Sequence, residues 1–506
     1  MRKLVLPILV IACVGAGFGL YFQYNSVDRK YQFPSLYMGN IFDFSGQLLN
    51  YMDELNSTDK SCAFARHLSK ELAKFGVGDS KLLMTSKDIK YRFKNFKDTQ
   101  LNLQDAQRKL QKHIYSLVND NVLSNDCLLS YQRLYVDIRY AIDSLYILNE
   151  NLYRDINDLK WRQGKFVYSE ENQIVDPYLN YNFNNPINTN IHSLKLQSGD
   201  ILLSLGDFIS SFFANITEHG DPLAHSQIVY IPQENSKKTY IIDTLYEQDA
   251  KIHEMDLQDV IKDKSRLVIY RFNNPQLAHQ AAKYLFEQIN SKAEVGDRIP
   301  FDLYVNPGDD KFSCIELIRH AFLVASHDQV SIPKMKSKMT TKKKIMWDYV
   351  LDGKSPDEIH LPSDIEWDDR FTPVAEIRNQ NYLVQAVILD AIAQEVIDLA
   401  TSEKFLFIYK MLDKRYEKFD HEARNVTIAN GLLYRVNNLY LEKLKDYIVQ
   451  NQRQYFNGPT YFEMRRKMSE SKMDMSTIKK MFEELDVVVE SNLKSQSLRQ
   501  KNKNQN

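Results

Sequence analysis

Residues 224–231 read AHSQIVYI, a histidine followed by a short run rich in β-branched and aromatic residues. A run of this kind predicts a buried strand. Similar runs lie around it, and we expect strands at 200–204, 226–231, 240–242 and 266–271. Apolar residues spaced three and four apart predict helices at 274–290 and 313–325. Residues 191–378 are therefore expected to form an α+β domain.

On both sides of this domain the apolar residues follow a helical period. One stripe comprises Leu103, Ala106, Leu110, Ile114 and Leu117, typical of an amphipathic helix. We predict a helical domain at 35–166 and a C-terminal helical region at 380–495, both all-α. Residues 167–190 are polar and contain two prolines, which predicts a linker. The polar end, 496–506, is expected to be disordered.

Length and composition limit the class of protein. A chain of 506 residues indicates two to four domains, and 43% apolar with 26% charged residues indicates a folded protein. Only 16 glycines and 14 prolines argue against a turn-rich all-β architecture. The net charge of −1 provides no overall basic field for nucleic acid. The lysine-rich run at 334–344 lacks interleaved aromatic residues, so we predict no nucleic-acid partner.

The N-terminus has the pattern of a membrane anchor. Arg2 and Lys3 precede an uncharged apolar run at 4–22, nearly long enough to span a bilayer. We predict an uncleaved signal anchor at 1–24, with the body of the chain in the periplasm or extracytoplasmic space. The alternative is a bacterial lipoprotein, because the residues ending at Cys13 (VIAC) resemble a lipobox. Either arrangement tethers the protein to the cell membrane.

Three cysteines, Cys62, Cys127 and Cys314, lie beyond this anchor. In an oxidising compartment Cys62 and Cys127 could form a disulfide, which would leave Cys314 as the free thiol. Two unpaired buried cysteines remain the alternative.

Cys314, His225 and Asp243 are the candidate catalytic residues. Cys314 begins a predicted helix, whose N-terminal N–H groups and partial positive charge stabilise a thiolate. His225 lies at the mouth of a strand and can accept the thiol proton. Asp243 ends the next apolar strand, YIID, and is expected to orient His225. No cluster has convincing zinc-ligand spacing, so we predict no metal site.

Several motifs occur in one order along the domain: LQSGDILLS (196–204), AHSQIVYI (224–231), IIDT (241–244) and PFDLYVNPGDDKFSCIELI (300–318). This set resembles the circularly permuted branch of the NlpC-type papain-like cysteine hydrolases, the YiiX-like proteins. The resemblance covers about 190 residues. Ser226 and Gln227 depart from it, because that branch usually has small apolar and Gly residues after the histidine. Ile315 also departs from it, replacing Ser.

The resemblance implies a small antiparallel sheet packed on helices and a His–acid–Cys triad formed by His225, Asp243 and Cys314. It also implies acyl transfer through a Cys thioester, without a cofactor. We assign Asp302, Tyr304 and Gln227 to substrate binding, with Gln227 narrowing the groove.

The expected function is cleavage of an amide bond, by analogy in cell-wall peptide, by a cysteine peptidase or amidase. A lipid acyl hydrolase or acyltransferase at the membrane surface is the first alternative, since the permuted branch also acts on lipids. A non-catalytic helical scaffold or binding protein is the second. Peptidoglycan peptide or lipid, and the membrane itself, are the expected partners.

Overall fold

The computed structural model describes most of residues 41–391 and pieces of the C-terminal region. The described ranges are 41–73, 86–119, 125–147, 160–162, 165–167, 178–183, 194–204, 223–244, 249–262, 264–301, 311–332, 337–338, 358–359, 361–383, 386–388, 390–391 and 410–419, with a few positions at 424–431 and 483–495. The chain divides into two compact units, one of residues 1–75 and 79–142, the other of 76–78 and 143–506.

The described part of the first unit is helical. Its helices are α1 (Ile41–Tyr51), α2 (Asp59–Leu72), α3 (Ser86–Asn119) and α4 (Asn125–Ile147), whose last turn belongs to the second unit; a 3₁₀ turn, Met52–Glu54, follows α1. Thr58 caps α2, its hydroxyl accepting a hydrogen bond from the Ser61 N–H at 3.3 Å. The apolar stripe predicted from Leu103 to Leu117 is buried on α3, which confirms the helical prediction there.

A disulfide joins Cys62 on α2 to Cys127 on α4, with Cα atoms 5.1 Å apart. This decides between the two alternatives for these cysteines. Among the described residues Cys314 is the free cysteine, and its side chain is partly exposed.

Removing this disulfide is expected to destabilise the helical unit substantially. The bridge closes a loop across 65 residues, and loop-closure entropy of that size corresponds to about 4 kcal/mol at 25 °C. The double variant Cys62→Ala/Cys127→Ala should therefore unfold at lower urea concentration, as measured by far-UV circular dichroism. Thiol titration of denatured, unreduced protein truncated before residue 25 should find one thiol; three would contradict the bridge.

The second unit is built on a seven-stranded sheet whose paired strands are all antiparallel. Two short strands outside this sheet, β1 (Lys160–Arg162) and β2 (Lys165–Val167), form a hairpin. The sheet strands are β3 (Tyr178–Asn182), β4 (Ile201–Ser204), β5 (His225–Tyr230), β6 (Tyr240–Asp243), β7 (Lys251–Glu254), β8 (Arg266–Phe272) and β11 (Phe371–Asn379). A second pair, β9 (Ser337–Lys338) and β10 (Glu358–Ile359), lies between β8 and β11 in sequence. The order across the sheet is β3-β11-β8-β4-β5-β6-β7.

Helices cover both faces of this sheet. They are α5 (Leu257–Lys262), α6 (Pro275–Glu294) and α7 (Cys314–Ala325), with a 3₁₀ segment at Pro362–Trp367. Neighbouring residues of β5 point to opposite faces of the sheet and join different hydrophobic cores. Ile228 packs with residues of α6 and α7, whereas Val229 packs with residues of α5. An α+β unit with an antiparallel sheet packed on helices is the predicted fold class, and it is confirmed.

The turn before β4 shows why Gly199 and Asp200 occur together. Gly199 has a φ of +88°, and a Cβ there would overlap Ala278 of α6. Asp200 is buried, and its two carboxylate oxygens accept hydrogen bonds from Nε and Nη2 of Arg271, each at 2.8 Å. Its Oδ2 also accepts the Gln197 N–H at 2.7 Å, which closes the turn. The motif thus anchors the start of β4 against α6 and β8.

Five fully buried charged residues tie β8 and β11 to the end of α4. Arg266 and Arg378 lie directly opposite each other on β8 and β11. The Asp143 carboxylate accepts from both, through Arg266 Nε at 2.7 Å and Arg378 Nε at 2.6 Å. Asp390 accepts from Arg266 Nη1 at 2.8 Å, and Glu376 accepts from Arg378 Nη2 at 2.9 Å. The carboxylates thereby neutralise two positive charges that the strand register places side by side.

The structure contains several strands that the sequence did not predict. The expected helical region contains the hairpin β1–β2, and the expected linker contains β3, an Asn-rich edge strand. Strand β7 forms the other edge and is too polar (KIHE) to be recognised by an apolar pattern. Strand β11 contains Pro373, which the ladder tolerates because its pairing with β8 is irregular between Pro373 and Ala375.

Within the residues that the structure covers, no helix is both long and apolar enough to cross a bilayer. The predicted anchor at 1–24 and the tail at 496–506 fall outside these residues.

Candidate active site

The candidate site lies where β5, β6 and the start of α7 come together. Continuing the β5–β6 register beyond its last pair, Ile228 with Ile242, places Gln227 opposite Asp243 and His225 diagonal to it. Diagonal neighbours on one face are within reach of long side chains. His225 Nε2 accordingly lies 3.3 Å from Asp243 Oδ2, and both side chains are buried.

Cys314 is the first residue of α7, directly after the N-cap residue Ser313. The Ser313 N–H and hydroxyl both donate to Glu316 Oε2, at 3.0 and 2.8 Å, which secures the start of the helix. The thiol of Cys314 lies beside His225 and Ser226. The structure therefore brings together the three side chains that the sequence singled out: Cys314, His225 and Asp243.

Cys314, His225 and Asp243 each alter the pKa of the neighbour that they contact. Burial alone would lower the pKa of His225, but the contacts with Asp243 and Cys314 outweigh it and raise that pKa to about 9. Burial would raise the pKa of Cys314, whereas His225 and then Ser226 lower it, with a net decrease. Burial also opposes ionisation of Asp243, but hydrogen bonds from the two histidines hold its pKa well below the ordinary value. The lowered pKa of Cys314 and the raised pKa of His225 both favour a thiolate–imidazolium pair next to the carboxylate of Asp243.

Gln227 is buried beside the acid. It is 6% exposed, and its Nε2 donates to Asp243 Oδ2 at 2.7 Å. Its amide thus holds the acid, and its role in substrate binding stays a prediction. Asp302 and Tyr304, the other two predicted substrate-binding residues, lie outside the described residues.

His253 was not singled out by the sequence. Its Nε2 lies 3.4 Å from Asp243 Oδ1, the carboxylate oxygen that His225 does not contact. The residue lies on β7, which is an edge strand without an apolar pattern, so its register against Asp243 could not be predicted.

No group of three or more His, Cys, Asp and Glu side chains within the described ranges has an arrangement that could hold a metal ion.

Neither family models nor curated proteins match this chain. A solved structure, the crystal structure of the metalloprotein yiiX from Escherichia coli O157:H7, is similar to it at 16% sequence identity. The alignment covers 36% of this chain and 97% of that one, with a TM-score of 0.28.

Proposed function

We propose that this protein is a cysteine hydrolase that cleaves an amide bond through a thioester on Cys314. The observation that carries the proposal is the position of Cys314 at the first residue of α7, beside His225, which contacts the buried Asp243. Covalent acyl transfer requires a nucleophile in contact with a base, and an acid that orients this base.

In the proposed reaction the Cys314 thiolate attacks the carbonyl carbon, and the carbonyl π electrons move to oxygen. The N–H groups at the start of α7 are suitably placed donors for that oxyanion, because the first turn of a helix leaves its N–H groups without intrahelical acceptors. The imidazolium of His225 then gives its proton to the leaving amine, and a thioester remains. His225 next accepts a proton from water, whose oxygen attacks the thioester and releases the acid and the thiolate. Since Nε2 of His225 contacts Asp243, Nδ1 is the nitrogen assigned to this proton transfer.

The proposed substrate is a peptide of the cell wall, and the proposed location is the outer face of the cell membrane. The apolar run at 4–22 behind Arg2 and Lys3 supports an anchor. The disulfide between Cys62 and Cys127 supports an oxidising compartment, because such bridges are rare in the cytosol. The substrate itself is inferred from this location and from the sequence resemblance.

Purified protein and its Cys314→Ala variant should be incubated separately with peptidoglycan and with phospholipid vesicles. New amines and peptides released by the wild type alone are the expected result. Released fatty acid would instead favour the lipid acyl hydrolase. If neither appears, and a thiol-reactive activity probe labels wild type and variant equally, the non-catalytic scaffold is the better interpretation.

Asp243→Asn is expected to lower the rate by about 10- to 1000-fold, and Asp243→Ala by more. The amide retains a hydrogen-bonding group but loses the negative charge that stabilises the imidazolium. The reaction needs the protonated imidazole of His225, whose pKa Asp243 raises to about 9. Activity should therefore decline near pH 9 in the wild type, and at a lower pH in Asp243→Asn. The pH–rate profiles of the three proteins test this. Unchanged rates in both variants would show that Asp243 is not the orienting acid.

A further inference from the structure

Asp243 is shared by two histidines that differ in their access to solvent. His225 contacts Oδ2 and is almost fully buried, whereas His253 contacts Oδ1 and has 37% of its side chain exposed. Gln227 also donates to Oδ2, so both oxygens of the carboxylate are held. His253 is thus a titratable group that connects the buried Asp243 to solvent.

The sheet register explains this contact. Asp243 pairs with Lys251 and Ile241 pairs with His253 across β6 and β7. Asp243 and His253 are therefore diagonal neighbours on one face, the same relation that Asp243 has to His225 across β5 and β6. The acid lies between the two imidazoles because three adjacent strands each place one of these side chains on that face.

Besides Asp243, charged residues lie on two of the described elements next to His253. Lys251 lies on its own strand, and α5, whose apolar residues pack on this face, carries Asp259 and Lys262. The hydrogen bond to Asp243 raises the pKa of His253 above its ordinary value of 6.5, with burial and Lys251 opposing. Its charge therefore changes at a higher pH than that of an unperturbed imidazole.

We propose that His253 is a positioning residue whose protonation makes the reactivity of Cys314 depend on pH. The inference rests on the proposed function, in which Asp243 orients His225. Neutral His253 donates its Nε2–H to Oδ1 and leaves the full carboxylate charge to stabilise the imidazolium of His225. Protonated His253 partly neutralises the Asp243 carboxylate and repels the imidazolium of His225. The imidazolium is then less stable, so its proton returns to the sulfur of Cys314 more often and the thiolate fraction falls.

The test is the pH dependence of Cys314 alkylation by iodoacetamide in the full-length protein, measured between pH 5.5 and 9 by mass spectrometry of the Cys314 peptide. The peptide readout separates Cys314 from Cys13, and the disulfide removes the other two cysteines. In the wild type the alkylation rate of Cys314 should be constant at acidic pH and about three- to tenfold higher at alkaline pH, with one step between the two levels. His253→Gln retains a donor but does not titrate, so its rate should match the alkaline level and lack the step. His253→Phe, which has no donor, should be slower throughout.

His279→Gln is the matched control, because His279 contacts Ser198 and lies outside the site; it should keep the wild-type step. Coincident profiles for wild type and His253→Gln, with fast alkylation in both, would overturn the role of His253 and leave the proposed function intact. A wild-type Cys314 that reacts no faster than an ordinary thiol would overturn both. Because alkylation needs no substrate, the two failures are distinguishable.

Discussion

Replacing Cys314 by serine is expected to reduce turnover by more than about 1000-fold while the fold stays intact. The side chain keeps its size, and the contacts of Ser313 with Glu316 that secure the start of α7 remain. His225 lowers the pKa of the Cys314 thiol and so favours the thiolate. The N-terminus of α7 stabilises the same anion. A hydroxyl in the same place stays protonated, so the attacking anion is missing.

Turnover of whichever substrate is cleaved in the peptidoglycan and phospholipid assays should be measured together with thermal unfolding. Cys13→Ser is the matched control, since it changes the other cysteine outside the disulfide, and its turnover should equal that of the wild type. Activity of Cys314→Ser within tenfold of the wild type, with an unchanged melting temperature, would remove Cys314 as the nucleophile.

Replacing Asp143 by asparagine is expected to destabilise the second unit by about 3–5 kcal/mol. Asp143 is completely buried and accepts from both Arg266 and Arg378. Without its charge, two guanidinium groups on adjacent strands face each other in a site that excludes water. Burial would raise the pKa of Asp143, but the two arginines hold it below the ordinary value, so the wild-type carboxylate is fully ionised at neutral pH.

Tryptophan fluorescence during urea unfolding is a suitable measurement, because all three tryptophans of the chain (Trp161, Trp347 and Trp367) belong to the second unit. Glu287→Gln is the control: it removes an acid from an exposed ion pair with Lys283, which should change stability by at most about 1 kcal/mol. An Asp143→Asn variant that unfolds with the same midpoint as this control would show that the buried network does not stabilise the unit.

The residue pattern predicted the central strands, the main helices and the three residues that meet in the candidate site. Short β-branched runs predicted β4, β5, β6 and β8 to within a residue or two at each end, because a strand buried on both faces needs apolar side chains throughout. Cys314 at a helix start and His225 at a strand mouth were recognisable because each chemical role requires a particular local position. The apolar stripe of α3 likewise follows from the helical period alone.

The surroundings of these three residues depend on the folded chain. Gln227 holds the acid, and His253 contacts its second oxygen, since both relations depend on the register of neighbouring strands. Register arises from pairing between segments distant in sequence, and a shift of one residue would turn each side chain to the other face. The same holds for Asp143, whose partners Arg266 and Arg378 are more than a hundred residues away in the chain. Such polar contacts carry no periodic signal, because they are satisfied pair by pair in the folded state.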